Sequence, residues 1–218
     1  MLVILAIIIG LFAIFGRGNS KKKGDNPVVT RAAGPSAACP NADGTSPKTQ
    51  TFSGPPKMCI DTNKTYTAEM KTTKGSMTIT LDAKKAPKTV NNFVFLARYH
   101  FYDGVSFHRI IPGFVVQGGD PQGNGSGGPG YKFADELPKA GEYKVGSLAM
   151  ANSGPNTNGS QFFIIVGDQG VQLPPKYSLF GMVTSGIDVA KALEADGSEG
   201  AGTPKEPVQM DSVTMTEA

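Results

Sequence analysis

From residue 66 onward the chain alternates short apolar runs with breaks rich in glycine, proline and asparagine. Residues 66–71 and 76–81 are β-like runs around Thr73-Lys74-Gly75, a pattern that predicts a hairpin. Pro87 suits the first turn of a helix, and Val90, Phe93, Val94 and Ala97 recur at helical spacing. Residues 87–99 are therefore expected to form an amphipathic helix. Asp103-Gly104 marks a turn. Strands are expected at 105–110 and 114–117, then a glycine-rich loop at 118–130. Further strands are expected at 145–150, 162–166 and 178–183, a second helix at 187–195, a loop at 197–202 and a terminal strand at 208–215. Many short strands with two helices far apart in the order predict a mainly β domain, a closed barrel capped at its ends.

The first 65 residues follow another pattern. Residues 2–15 are almost wholly apolar, yet shorter than the roughly 20 residues of a full membrane span. They also lack the basic start of a secretory signal. An uncleaved short anchor, a signal-like segment, or a span that begins upstream of Met1 all fit. Residues 17–65 are rich in Gly, Pro, Ser, Thr, Asn and Lys without periodicity and read as a polar linker. The resulting division is 1–16 as apolar anchor or signal-like segment, 17–65 as extension, and 66–218 as the globular domain. Cys39 and Cys59, the two cysteines of the chain, lie in the extension. A disulfide between them would indicate an oxidising compartment; two unrelated thiols are the alternative. Arg17 and Lys21, Lys22 and Lys23 would instead hold the domain in the cytoplasm by the positive-inside rule. The expected location is a membrane, through a single-pass anchor, with the domain on its extracytoplasmic side.

Charge and composition remove several functions. The net charge is +3, much of it in that basic cluster, so nucleic acid is not an expected partner. Glycine (28) and proline (16) are abundant and charged residues make up 18%, which favours a turn-rich β fold over a helical bundle. Gly123 to Gly128 satisfies a dinucleotide-type glycine spacing, but Pro129-Gly130 follows where a helix is needed. The two histidines are His100 and His108, too few for a metal set. His108 alternates with Arg109 on a predicted strand and should be a buried structural residue. Ser153 and Ser160 lack a histidine in motif context, so a hydrolase is unsupported.

The densest signal runs from Phe107 to Phe163. It contains Phe107-His108-Arg109-Ile110-Ile111-Pro112-Gly113-Phe114, Val116-Gln117-Gly118-Gly119-Asp120 and Gly125-Ser126-Gly127-Gly128. It closes on Ala149-Met150-Ala151-Asn152 and Gly154-Pro155-Asn156-Thr157-Asn158-Gly159-Ser160-Gln161-Phe162-Phe163. This stretch resembles the cyclophilins, a family of peptidyl-prolyl cis-trans isomerases, with the likeness extending over about 66–215. With the apolar start, the linker and the cysteines, the chain is similar to the membrane-anchored bacterial members, especially those of actinobacteria. The resemblance implies an eight-stranded antiparallel barrel with a helix at each end and a groove on its outer face. It implies isomerisation of X-Pro bonds in proline-containing peptide or protein segments, with no covalent intermediate and no cofactor. A monomer is the default oligomeric state.

By the same resemblance, Arg109 is the catalytic arginine and Gln117 reaches both Arg109 and the substrate backbone. Phe114, Val115, Phe163 and Leu173 match the walls of a proline pocket, with Val115 in place of a commoner methionine. Ala151 and Asn152 match the segment that pairs with an extended substrate. Gln161 and Gly125 match further groove positions, and Ser153 stands where many members have alanine. The chain has no tryptophan; Gln172 falls where eukaryotic members often carry an indole, and Tyr177 where many have a histidine. Binding of cyclosporin, the family's cyclic-peptide inhibitor, is therefore expected to be weak. A second reading is a proline-binding chaperone or scaffold module with weak turnover.

Overall fold

The computed structural model describes residues 38–218; the apolar segment at 2–15 and the basic cluster lie outside them. The hairpin forms from β1 (Tyr66–Thr72) and β2 (Gly75–Leu81), paired so that Thr72 faces Gly75. Gly75 closes the turn at φ +128°, a value that favours glycine. Helix α1 (Pro87–Arg98) begins on its proline, as the first-turn preference dictates. Then follow β3 (Val105–Ser106), β4 (Arg109–Ile111), β5 (Val115–Gly118), β6 (Ser147–Met150) and β7 (Phe162–Ile165). A single helical turn α2 (Asp168–Val171), strand β8 (Leu179–Ser185), helix α3 (Ile187–Ala195) and strand β9 (Gln209–Glu217) complete the order.

The sheet is antiparallel, in the order β3-β9-β1-β2-β8-β6-β7-β5-β4. It has nine strands where eight were expected, because 105–110 does not run as one strand. Its first part pairs with β9, whereas Arg109–Ile111 pairs with β5. Phe107 and His108 lie between, with the Phe107 N–H donating to the Val208 carbonyl at 2.9 Å. The one-turn α2 is a third helix among the described residues, placed where Gly170 packs against the Phe114 carbonyl too closely for a Cβ.

The sheet curls around a core formed by alternate residues, including Met70, Ile79, Ile110, Val116, Leu148, Phe162 and Ile164. Helix α1 is buried on more than one face: Asn91 and Asn92 are as enclosed as Val90 and Phe93. Its outer side is covered by residues 38–65, a strap without helix or strand. Phe52 of this strap lies in the core, and Cys39 and Cys59 form a disulfide with Cα atoms 5.5 Å apart. Asn91 holds the strap from the helix side, donating to the Lys57 carbonyl and accepting from the Cys59 N–H.

Candidate functional site

Strand alternation sends the other half of β5, β6 and β7 outward. There Val115, Ala149, Phe163 and Ile165 make a second apolar cluster, with Phe114, Ala151, Leu173 and Tyr177 packed against it. The β4–β5 turn, with Gly113 at φ +73°, sets Arg109 opposite Gln117 in register, and Gln117 in turn opposite Phe163. A guanidinium, an amide and a phenyl ring therefore line up across three strands on one face.

Hydrogen bonds extend that line. Arg109 Nη1 donates to Gln117 Oε1 at 3.2 Å, and Gln117 Nε2 donates to Gln161 Oε1 at 3.1 Å. Gln161 Nε2 donates to the carbonyls of Gly125 and Gly127, at 3.0 and 2.9 Å. The guanidinium carbon lies 5.6 Å from the Phe114 ring centroid, within cation–π range. Arg109 is thus held by one amide and one ring, with further N–H groups left to serve as donors.

The loop beyond β5 is built on Asp120, which is 1% exposed. Burial opposes its charge, but backbone N–H groups of Gln122, Gly127, Gly125 and Asn124 outweigh burial and hold its carboxyl below the usual range. Gly125 sits in this loop at φ +85°. A Cβ there would lie 3.8 Å from the ring of His108, which packs beneath the loop, away from Arg109's line of bonds. Both His108 ring nitrogens are buried without a hydrogen-bond partner among the described residues. Burial, reinforced by Arg109 and opposed by Asp120, pushes its pKa down, so it is neutral at physiological pH.

At the far wall, Asn152 Nδ2 donates to the Lys176 carbonyl at 2.9 Å, tying the 151–153 segment to the loop that carries Tyr177. The Ala151 N–H donates to the Gln161 carbonyl, and Ser153 turns toward Thr157. Tyr177 meets the Phe163 ring edge-on, with centroids 5.3 Å apart. Leu173 follows α2 and closes the apolar slot from that side. The candidate residues therefore gather into an apolar slot and an adjoining polar line. Val115 is nearly buried, so it forms the floor of the slot rather than its rim.

A cleft of about 770 Å³ is lined by Gln117, Gln161, Ala151 and Asn152, which belong to the polar line and the 151–153 segment beside the slot. Its outer wall is Gly127 to Lys132, which spans the end of the expected loop at 118–130 and two residues to which the pattern gives no element. Pro129-Gly130-Tyr131 gives little periodicity to read. Tyr143, which holds Tyr177, was also missed, since an isolated tyrosine in a polar stretch carries no signal of its partner.

Residues 67–215 match the family described as cyclophilin type peptidyl-prolyl cis-trans isomerase/CLD. The chain belongs to this family. A probable peptidyl-prolyl cis-trans isomerase A of Mycobacterium leprae is 45% identical over 168 residues, covering 69% of this chain and 92% of the relative. A crystal structure of a Cryptosporidium parvum cyclophilin superposes with a TM-score of 0.65 at 33% identity, covering 70% of this chain and 98% of that one. A second structure of that protein, determined in the presence of the dipeptide Ala-Pro, superposes with a TM-score of 0.64. This cyclophilin is a peptidyl-prolyl cis-trans isomerase, and its outward groove is the candidate active site.

Proposed function

We propose that the groove holds an extended segment with its proline ring in the slot lined by Phe114, Phe163, Leu173 and Tyr177 over Val115, and that Arg109 carries the catalysis. Cis–trans exchange is slow because amide resonance imposes a barrier of roughly 18–20 kcal/mol. In the twisted transition state the proline nitrogen regains its lone pair and accepts a hydrogen bond that the planar amide cannot. A guanidinium fixed beside the slot supplies that bond only when it is needed, which is preorganised electrostatic stabilisation. It stays charged and its planar fork is stiff, so it loses little freedom on donating. Gln117 aims it, and Gln161 with Gly125 aims Gln117. Ala151, Asn152 and Ser153 border the path of the substrate backbone. No nucleophile, metal or cofactor is required.

The observation that carries this reading is the Arg109–Gln117 bond at 3.2 Å beside the apolar slot. Arg109→Ala should lower kcat/KM for an X-Pro peptide by about 10²–10³-fold while circular dichroism stays native. Comparable efficiency in the variant would remove Arg109 from the mechanism. The Ala-Pro dipeptide named for the Cryptosporidium structure supports a proline-containing ligand here.

Residues 66–218 act as the isomerase domain, as a monomer. Its ladder is a closed eight-stranded barrel in which β3 and β4 are one interrupted strand; the Phe107–Val208 bond supports this. Residues 2–15 tether the enzyme to a membrane as in membrane-anchored actinobacterial cyclophilins, with the domain extracytoplasmic. The apolar run and the Cys39–Cys59 disulfide support that assignment, since disulfides persist in oxidising compartments. Among the described residues no helix is long and apolar enough to cross a membrane. Cell fractionation with external protease should release the domain from intact cells; retention in the cytosolic fraction rejects the tether. With Gln172 and Tyr177 in place of the indole and histidine, cyclosporin binds weakly.

A further inference from the structure

The strap precedes the family match, which begins at residue 67, yet it reaches the groove. Its contact is Phe52, 7% exposed, whose ring lies 4.9 Å from Phe95, 5.4 Å from Tyr99 and 6.4 Å from Tyr131 between centroids. The Phe52 N–H donates to the Pro129 carbonyl at 2.8 Å. Gly130 takes φ +96°, and a Cβ there would stand 2.5 Å from the Phe52 carbonyl oxygen, so strap and loop backbones touch directly. Tyr131 donates its hydroxyl to Asn92 Oδ1 at 2.7 Å, and Asn92 Nδ2 donates to the Gly159 carbonyl at 2.9 Å. Pro129, Gly130, Tyr131 and Gly159 all line the cleft beside the proline slot. The loop is thus gripped by the strap on one side and by α1 on the other.

We propose that Phe52 is a positioning residue for substrate recognition: by fixing Pro129 to Tyr131 it sets which side chains the enzyme accepts next to the substrate proline. This rests on the assignment of the neighbouring slot to proline. A peptide whose proline fills the slot runs past Gln117, Gln161, Ala151 and Asn152, which also line the cleft, and so brings a flanking residue to it. The shape of that cleft depends on a wall whose outer support comes from outside the family-matched segment. Glycine next to proline reaches the wall least, and large side chains reach it most.

The test measures kcat and KM of the full-length chain on X-Pro peptides with X as glycine, alanine, leucine or phenylalanine. Phe52→Ala is expected to raise KM about tenfold for the leucine and phenylalanine peptides and much less for glycine, the signature of lost ground-state binding. Phe52→Leu keeps an apolar plug and should restore most of the preference. Gly130→Ala attacks the same contact from the loop side and should skew the series in the same direction. It also keeps the test decisive if Phe52→Ala fails to fold. A wild-type ranking of the four peptides in Gly130→Ala and in any folded Phe52→Ala would overturn the proposal, even if melting temperatures fell. Loss of activity toward all four peptides alike in Arg109→Ala speaks only to the catalytic assignment. Insensitivity of catalysis to Arg109 with a skewed ranking in the Phe52 variants would reject that assignment and leave this inference standing.

Discussion

Tyr143 is 2% exposed, and its hydroxyl serves the backbone of one residue twice. It donates to the Tyr177 carbonyl at 2.7 Å and accepts from the Tyr177 N–H at 3.1 Å. Burial pushes its phenol up to about 12, so it stays a donor throughout the physiological range. The consequence for the groove is indirect: with its backbone fixed at both polar atoms, Tyr177 can hold its ring edge-on to Phe163. Tyr143→Phe keeps the ring and removes both bonds, leaving the part-buried Tyr177 carbonyl and N–H without that partner. A loss of about 1–3 kcal/mol is expected in urea unfolding, together with a higher KM for proline peptides. Unchanged KM would show that Tyr177 does not depend on this clamp. Neither tyrosine's partner was readable from the chain, because the bond joins two irregular segments 34 residues apart. Arg109, Gln117 and Phe163 were legible through the family resemblance that their dense motif carries, not through the spacing of apolar positions.

Among the elements, the strap depends on charge as well as on Phe52. His100, at φ 54°, directs Nε2 to the Gly44 carbonyl at 2.8 Å and Nδ1 to the Asp103 carboxylate at 2.9 Å. Both partners only accept, so the imidazolium alone satisfies both. The Gly44 bond first, then the Asp103 bond, raises its pKa, against burial and nearby Lys48. A raised folded-state pKa gives stability that is complete below the unfolded value, about 6.5, and disappears as pH rises through the folded value. His108 has the opposite sign: its depressed pKa favours the fold above that range and weakens it as pH falls. Global unfolding therefore mixes the two, whereas amide exchange near Gly44 isolates the first. That exchange should accelerate as pH rises through neutrality beyond the intrinsic base-catalysed increase, and His100→Gln should abolish the excess. An identical pH profile in the variant would exclude His100 as the latch. Helix α1 was legible from its 3.6-residue apolar spacing, and the hairpin from its turn. The strap was not, because Phe52 is one aromatic among polar and glycine-rich neighbours, with no period to betray a buried face. The β3/β4 break was hidden for a related reason: apolar pattern reports burial and is silent about which neighbour a strand pairs with.

Across the whole molecule, the C-terminal strand is fastened where the domain begins. Thr65 and Ala218 exchange both backbone hydrogen bonds, and Glu217 bonds Lys64 Nζ at 2.9 Å and the buried Arg98 guanidinium at 2.7 Å. Lys64 and Arg98 lower the Glu217 carboxyl to about 2. A depressed pKa gives stability that is present above the unfolded value, near 4.5, and lost as pH falls toward 2. Glu217→Gln should cost about 1–2 kcal/mol at neutral pH, because Arg98 loses its counter-charge while solvent reaching Glu217 screens the pair. The variant should also unfold in acid with a shallower dependence between pH 4.5 and 2. Equal acid sensitivity would place the titrating group elsewhere. The sheet's outermost strands, β3 and β4, are two and three residues long and consecutive in the chain. Almost no run of unpaired backbone is offered at either end of the ladder. An unfolded chain, itself rich in unsatisfied amides, finds little template there on which to add a strand. The described ladder thus offers aggregation no ready seed.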